Sequence, residues 1–183
     1  MRRRFISFCG VVFCLLVVSC GGGSQKEMAD HLEALYGRKI HFVHDNHYRV
    51  DGRDTLIYSE PSISIVLFVD SLGCQPCKLR LGELGVKIRE LKQIGSTAHF
   101  IVIVQNSDYS VFEQDAVHNL PGYPFVYDEE GRFLKYNELP LDSRYHAFLL
   151  NQNGEVVLVG NPIGNDKLWE LYKQQIRKLM DKD

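Results

Sequence analysis

The stretch IVLFVDSLGCQPCK, residues 65 to 78, joins a run of apolar residues to two cysteines spaced two residues apart. The apolar run belongs to a longer segment, SISIVLFVD (residues 62–70), that is rich in β-branched side chains. Such a segment is typical of a strand that is buried on both faces of a sheet. The cysteines follow the strand at once, and we expect a helix to begin there and to run to about Ile94.

The two cysteines are predicted to differ in environment. Apolar residues recur at alternating intervals of four and three, as on one stripe of a helix: Cys77, Leu81, Leu84, Ile88 and Leu91. Cys77 heads this stripe and is expected to face the core, whereas Cys74 lies one turn earlier, at the helix start. Unpaired backbone N–H groups there favour a thiolate, and a cysteine so placed commonly has a pKa below the free value of about 8.5. Pro76 fits the first turn, where a missing N–H is tolerated.

This asymmetry predicts thiol–disulfide exchange, with Cys74 as the exposed attacking thiol and Cys77 as the buried resolving thiol. The chemistry needs no bound cofactor. A disulfide between them closes a ring too short to constrain the unfolded chain much, so chemistry explains it better than stability.

The N-terminal residues MRRRFISFCGVVFCLLVVSC (1–20) show a basic head, a short apolar run and a small residue, which together predict a signal peptide. Their end, VVSC, resembles the lipobox of bacterial lipoproteins. The resemblance implies cleavage before Cys20 and a lipid on its sulfur, an anchor that is stable when two or more acyl chains are present. We expect residues 1–19 to be removed, residues 20–26 to form the lipidated cysteine and a flexible tether, and residues 27–183 to fold.

The charge of the predicted mature chain excludes one class of partner. Three arginines lie in the signal peptide, so Lys+Arg falls from 21 to 18 against 23 Asp+Glu, and the formal charge moves from −2 to −5. No basic block remains, which argues against nucleic acid as a partner. Of the five cysteines, Cys9 and Cys14 leave with the signal peptide and Cys20 carries lipid, so only the spaced pair stays as thiols.

The remaining segments predict an α/β domain. We expect a helix at residues 27–37, short extended pieces with a turn near Asp51-Gly52 within residues 39–60, a strand at 99–106, a helix at 110–120, a strand at 123–128, a hairpin at 145–161 and a closing helix at 165–180. Parallel strands joined by helices form a central sheet with helices on both faces. The hairpin adds antiparallel strands, so the sheet is mixed.

The strand followed by Cys74-Gln75-Pro76-Cys77-Lys78 resembles the active-site segment of the thioredoxin superfamily, most closely the TlpA-like and redoxin branch of bacterial envelope proteins. The resemblance spans roughly residues 38–180 by element order, with an insertion between the second and third core strands. It implies a thioredoxin-like fold and thiol–disulfide exchange by Cys74 and Cys77. Protein thiols and disulfides would be the substrates, and a membrane protein would supply electrons. We expect the lipid anchor to lie in the outer membrane, with the protein facing the periplasm.

Three positions depart from the family pattern. Leu72-Gly73 stands where a tryptophan is usual, and Phe68 takes the place of a buried acid, for which Asp70 is a candidate substitute. The family's cis-proline position falls on Tyr145. Two further residues bear on this site: Pro140 lies five residues before Tyr145, and His146 follows it as a candidate to modulate thiol ionisation.

Other functions fit the sequence less well. A zinc site needs four ligands, and a single CxxC supplies two; His41, His44 and His47 are spaced by three, which on a strand scatters them over both faces. Peroxiredoxins carry Pro-x-x-x-Thr/Ser-x-x-Cys, and although Ser71 fits, Leu67 occupies the proline's place. A redox-silent binding module on a thioredoxin fold stays open, because fold does not fix function.

Overall fold

The computed structural model describes residues 22–43, 47–55, 62–72 and 74–181 of the chain. Two compact units divide at Ala34 and Leu35, within helix α1 (Gly22–Leu35). This helix begins five residues before its predicted start, so the prediction of a flexible tether was wrong for residues 22–26. Gln25 and Lys26 are good helix formers that favour an extension of the helix towards the N-terminus, whereas its first two residues, Gly22 and Gly23, are not. The predicted signal peptide and Cys20 lie outside the described residues.

The second unit is built on one mixed sheet. Its strands are β1 (His47–Val50), β2 (Arg53–Thr55), β3 (Ser64–Val69), β4 (His99–Val104), β5 (Pro124–Tyr127), β6 (Ala147–Leu150) and β7 (Val156–Val159). Their order across the sheet is β2-β1-β5-β4-β3-β6-β7. β4 runs parallel to both β3 and β5, and the other pairs are antiparallel. The turn between β1 and β2 falls at Asp51 and Gly52, as predicted.

Helices cover both faces of this sheet. They are α2 (Gln75–Leu79), α3 (Leu81–Gln93), α4 (Ser110–Asn119), α5 (Arg132–Tyr136) and α6 (Asp166–Met180), and a 3₁₀ turn spans Ser143–Tyr145. The sequence predicted α4 and α6 closely, and Asn165 caps α6 by accepting the N–H of Leu168 at 3.1 Å. Helix α5 and the 3₁₀ turn were not predicted. In the described part of the chain, no helix is both long and apolar enough to cross a bilayer.

Alternation along β3 divides the core in two. All six residues of β3 are buried, as the apolar run predicts. Ile65, Leu67 and Val69 share one core cluster with buried residues of α3, α4 and α6. Successive strand residues point to opposite faces, so Phe68 lies on the second face, where its ring is 5.7 Å from that of Phe133 in α5.

The predicted single helix after the cysteines is broken in two. Arg80 has a φ of +45°, in the left-handed region, and it separates α2 from α3. The stripe of apolar residues therefore does not continue through the break. Leu81, Leu84 and Leu91 are buried as expected, but Cys77 is exposed. The prediction that Cys77 faces the core was wrong, because it assumed an unbroken helical phase.

An ionic contact between α3 and α6 predicts acid sensitivity. Trp169 donates its indole N–H to Glu90 at 2.6 Å, and Lys173 contacts the same oxygen at 3.2 Å. The bond from Trp169 is the main cause that lowers the pKa of Glu90 below 4.5; burial opposes it and Lys173 assists it. A carboxyl with a lowered pKa stabilises the fold above its unfolded pKa, and this contribution is lost as pH falls through the folded value.

Glu90→Gln is therefore expected to lower the thermal midpoint at pH 7. It should also reduce the fall of the thermal midpoint between about pH 5 and pH 3, a range that spans the ordinary carboxyl pKa. Unfolding followed by circular dichroism across this range measures both effects. Glu129→Gln, on an exposed turn, is the control and should leave the acid limb unchanged. An acid limb in Glu90→Gln as steep as in the unchanged protein would contradict the assignment.

Candidate active site

The site is an exposed disulfide between Cys74 and Cys77 at the start of α2. Their Cα atoms are 5.3 Å apart, within the usual range for a disulfide. Cys74 has extended backbone angles and is the N-cap residue of α2, where its Sγ accepts the N–H of Cys77 at 3.2 Å. Pro76 lies in the first turn, as predicted. Of the two sulfur atoms, the one that accepts a hydrogen bond from a helix N–H group is thus that of Cys74.

The sheet places this disulfide at the ends of its central parallel strands. Asp70 directly follows β3, and the N–H of Gln105, directly after β4, donates to the carbonyl of Val69 at 2.9 Å. Gln75, between the cysteines, is buried and bonded to both strand ends. No local pattern in the sequence indicates this role, because two of the partners of Gln75, Gln105 and Asn106, follow it by about thirty residues.

Asp70 is held as a carboxylate beside the site. Its Oδ1 forms an ion pair with the Lys78 ammonium and accepts the N–H of Leu72 at 2.9 Å. Burial raises the pKa of Asp70, but the hydrogen bonds from Lys78 and Leu72, with the charge of Lys78, outweigh it and lower the pKa overall. Asp70 therefore lies at the predicted site but is poorly suited to hold a proton there.

A cavity of about 200 Å³ adjoins α2, and its lining includes Phe68, Asp70, Lys78 and His146. His146 is 3 % exposed, and its Nε2 is 2.8 Å from the carbonyl oxygen of Pro140. Because a carbonyl only accepts, the neutral ring carries its proton on Nε2. Its buried Nδ1, which has no partner among the described residues, is then an acceptor. Phe68, at the place of the family's acid, packs edge-on against this ring at 5.2 Å.

Tyr145 and His146 reach the site through the pairing of β6 with β3. Leu67 is opposite Ala147, and the N–H of Phe68 donates to the carbonyl of His146 at 2.8 Å. Tyr145 ends the 3₁₀ turn and is 3 % exposed. The start of β6 therefore lies at the end of β3 from which the cysteine loop leaves. The structure brings the residues of the predicted site to this one end of the sheet.

The histidines of the N-terminal hairpin give no evidence for a metal site. His41 is exposed, while His44 and the side chain of His47 lie outside the described residues. Within the described ranges, no three or more His, Cys, Asp and Glu side chains are grouped as metal ligands.

Comparisons with known proteins identify the fold. No protein-family description matches the sequence, and no curated protein matches it. The thioredoxin domain of a thiol-disulfide oxidoreductase from Bacteroides vulgatus is similar in structure, with a TM-score of 0.56 and 12% identity over 77% of this chain and 97% of that one. Enterococcus faecalis AhpC has a TM-score of 0.51 and 19% identity over 76% and 92% of the two chains. The predicted thioredoxin-like α/β fold is confirmed.

Proposed function

We propose that this thioredoxin-like chain is a thiol–disulfide oxidoreductase that acts through Cys74 and Cys77. The observation that supports it most is an exposed disulfide whose first sulfur accepts a helix N–H group. A hydrogen bond to the charged form of a group favours that form, so the reduced Cys74 is the better thiolate. Buried structural cysteines have neither this access nor this bond.

The exchange then proceeds in two steps. In the first, the Cys74 thiolate attacks one sulfur of a substrate disulfide, which forms a mixed disulfide and releases the other substrate sulfur as a thiolate. In the second, Cys77 loses its proton to solvent and attacks Cys74, which re-forms the internal disulfide and releases the second substrate thiolate. Two electrons pass from the cysteine pair to the substrate, and a dithiol donor must return them. The relative potentials of the partners decide whether the protein reduces or oxidises.

The proposal includes a place in the cell. The basic head, apolar run and VVSC end of residues 1–20 support export and a lipid on Cys20, with the protein on a bacterial envelope membrane, facing the periplasm at the outer membrane. Protein thiols and disulfides are the proposed substrates, and a membrane protein is the proposed electron donor. Cys20→Ser should release the protein from the membrane fraction; unchanged retention would contradict the lipid anchor.

A binding module is the second candidate function, and one observation favours it. The residue at the family's proline position is the bulky, buried Tyr145, so the proline that shapes substrate docking in the resembled family is absent from this position. In this case the cysteine pair would be structural. The two candidates make opposite predictions for the redox behaviour of the purified protein.

The test is equilibration of the purified protein with glutathione buffers, together with a thiol titration and an insulin reduction assay. An oxidoreductase should show a reversible disulfide, a Cys74 thiol that ionises below the free-cysteine value of about 8.5, and catalysed reduction of insulin by dithiothreitol. A thiol that ionises at or above this value, with insulin left unreduced, would favour the binding module.

A further inference from the structure

Gln75 is the buried residue of an otherwise exposed motif. Its side chain is 5 % exposed, while Cys74, Cys77 and Lys78 are exposed and Pro76 is half-buried. Burial of an amide is unfavourable unless its donors and acceptor are satisfied. Here each of them has a partner. Nε2 donates to the carbonyl of Gln105 at 3.0 Å and to that of Asp70 at 3.4 Å, and Oε1 accepts from Asn106 Nδ2 at 3.0 Å.

The two carbonyls that accept from Gln75 belong to different strands. Asp70 is the first residue after β3, and Gln105 is the first residue after β4. At these positions the pairing of the parallel strands stops, so their carbonyl groups need other donors. One side-chain amide supplies both. The residue inside the motif therefore joins α2 to the ends of the two central strands.

Asn106, the donor to Gln75, is itself held in place. Its N–H donates to the hydroxyl of Tyr109 at 3.2 Å, and this hydroxyl donates to the carbonyl of Val104 at 3.1 Å. Asn106 Oδ1 accepts the N–H of Ser107 at 2.9 Å. The contacts run from the cysteine motif through two amide side chains and a buried phenol to the last residue of β4.

We propose that Gln75 and Asn106 form a clamp that positions the cysteine pair and makes its disulfide harder to reduce. The inference rests on the proposed function and assigns Gln75 as a positioning residue within it. No clamp atom is a sulfur, so reduction of the disulfide leaves every clamp contact available. The clamp therefore keeps the two thiols at one place on the sheet and raises their effective concentration for ring closure.

Removal of the clamp should change the reduction potential of the disulfide in one direction. Without it the reduced motif gains conformational freedom, and formation of the disulfide must remove that freedom again. The disulfide becomes less favourable relative to the dithiol, so the reduction potential becomes less negative. A buried amide that only satisfied the fold would change stability and leave this potential unchanged.

Two variants and one control test the clamp. Gln75→Met keeps the length of the side chain and removes all three contacts, and Asn106→Ala removes the contact to Oε1. The control is Tyr123→Phe, which removes a 2.6 Å hydrogen bond to the carbonyl of Phe100 near the opposite end of β4. We expect each clamp variant to shift the disulfide equilibrium with dithiothreitol or glutathione about tenfold, or about 30 mV for a two-electron couple. The control should not shift it.

The outcomes separate the clamp from the proposed function. A shift below twofold in both clamp variants, or an equal shift in Tyr123→Phe, would overturn the clamp. If circular dichroism shows that Gln75→Met does not fold, Asn106→Ala decides alone. The equilibrium is measurable whether or not the protein reduces insulin, so a failed insulin assay counts against the proposed function only. In the unchanged protein, slow hydrogen exchange of the Gln75 side-chain amide should show the contacts directly, and rapid exchange would contradict them.

Discussion

Cys74→Ser is expected to reduce the rate of insulin reduction to that of dithiothreitol alone. The thiolate is the nucleophile in disulfide exchange, and a serine hydroxyl is not ionised at neutral pH. The location of the sulfur atom in the structure matters as well as its chemistry. Cys74 is exposed, caps α2 and accepts the N–H of Cys77, so its sulfur has both the access and the hydrogen bond that the first step needs.

Cys77→Ser separates the two steps of the same reaction. The first attack should still occur, because Cys74 keeps its place at the helix start, but the intermediate cannot be resolved. We expect the variant to accumulate a mixed disulfide with glutathione on Cys74, which intact-protein mass spectrometry detects. Ser71→Ala, a substitution at an exposed neighbour, is the matched control. It should keep the full rate of insulin reduction.

The two serine variants also test which cysteine attacks the substrate. Cys77 is exposed rather than buried, so access alone does not distinguish the two sulfurs, and the helix N–H contact carries the distinction. If Cys74→Ser trapped a mixed disulfide while Cys77→Ser did not, Cys77 would be the attacking thiol. The helix N–H group would then not determine which of the two cysteines is the nucleophile.

Local patterns in the sequence were enough to place the main elements. The apolar run before the cysteines predicted β3 because a strand covered on both faces must be apolar throughout. The period of α6 and its Asn165 cap predicted that helix within a residue of its observed start. These features depend on residues close together in the chain, which is why a sequence reading could find them.

Features that depend on tertiary contacts were missed. The apolar spacing runs without interruption across Arg80, yet this residue adopts a left-handed conformation that is uncommon for residues other than glycine. A polar residue between two cysteines indicates exposure, yet Gln75 is buried because Gln105 and Asn106 reach it from the end of β4. Neither outcome has a signature in the neighbouring residues.

Helix α5 was missed for a related reason. Its five residues are too few to show a helical period, and its stability comes from outside it. The buried Asp128 accepts the N–H groups of Arg132 at 2.8 Å and Phe133 at 2.9 Å, which caps the first turn. At its other end, Asn137 donates to the carbonyl of Phe133 at 3.0 Å. These contacts hold the side chain of Phe133 over the second face of the sheet.

Phe133→Ala is therefore expected to lower the free energy of unfolding by about 3–5 kcal/mol, as for other buried phenylalanines. Phe133 is fully buried, and its ring lies 6.0 Å from that of Phe42, 5.7 Å from Phe68 and 6.5 Å from Phe148. A five-residue helix cannot shift far enough to fill the space that the ring leaves. Urea unfolding followed by circular dichroism measures the change.

Tyr136→Ala provides the comparison, because Tyr136 lies on the same helix but is 66 % exposed. It should change the free energy of unfolding by less than about 1 kcal/mol, as expected for a surface substitution. An equally small loss in Phe133→Ala would mean that α5 does not close the second face. Phe68 packs against both Phe133 and the ring of His146, so in that case the aromatic support behind the cavity would also have to come from elsewhere.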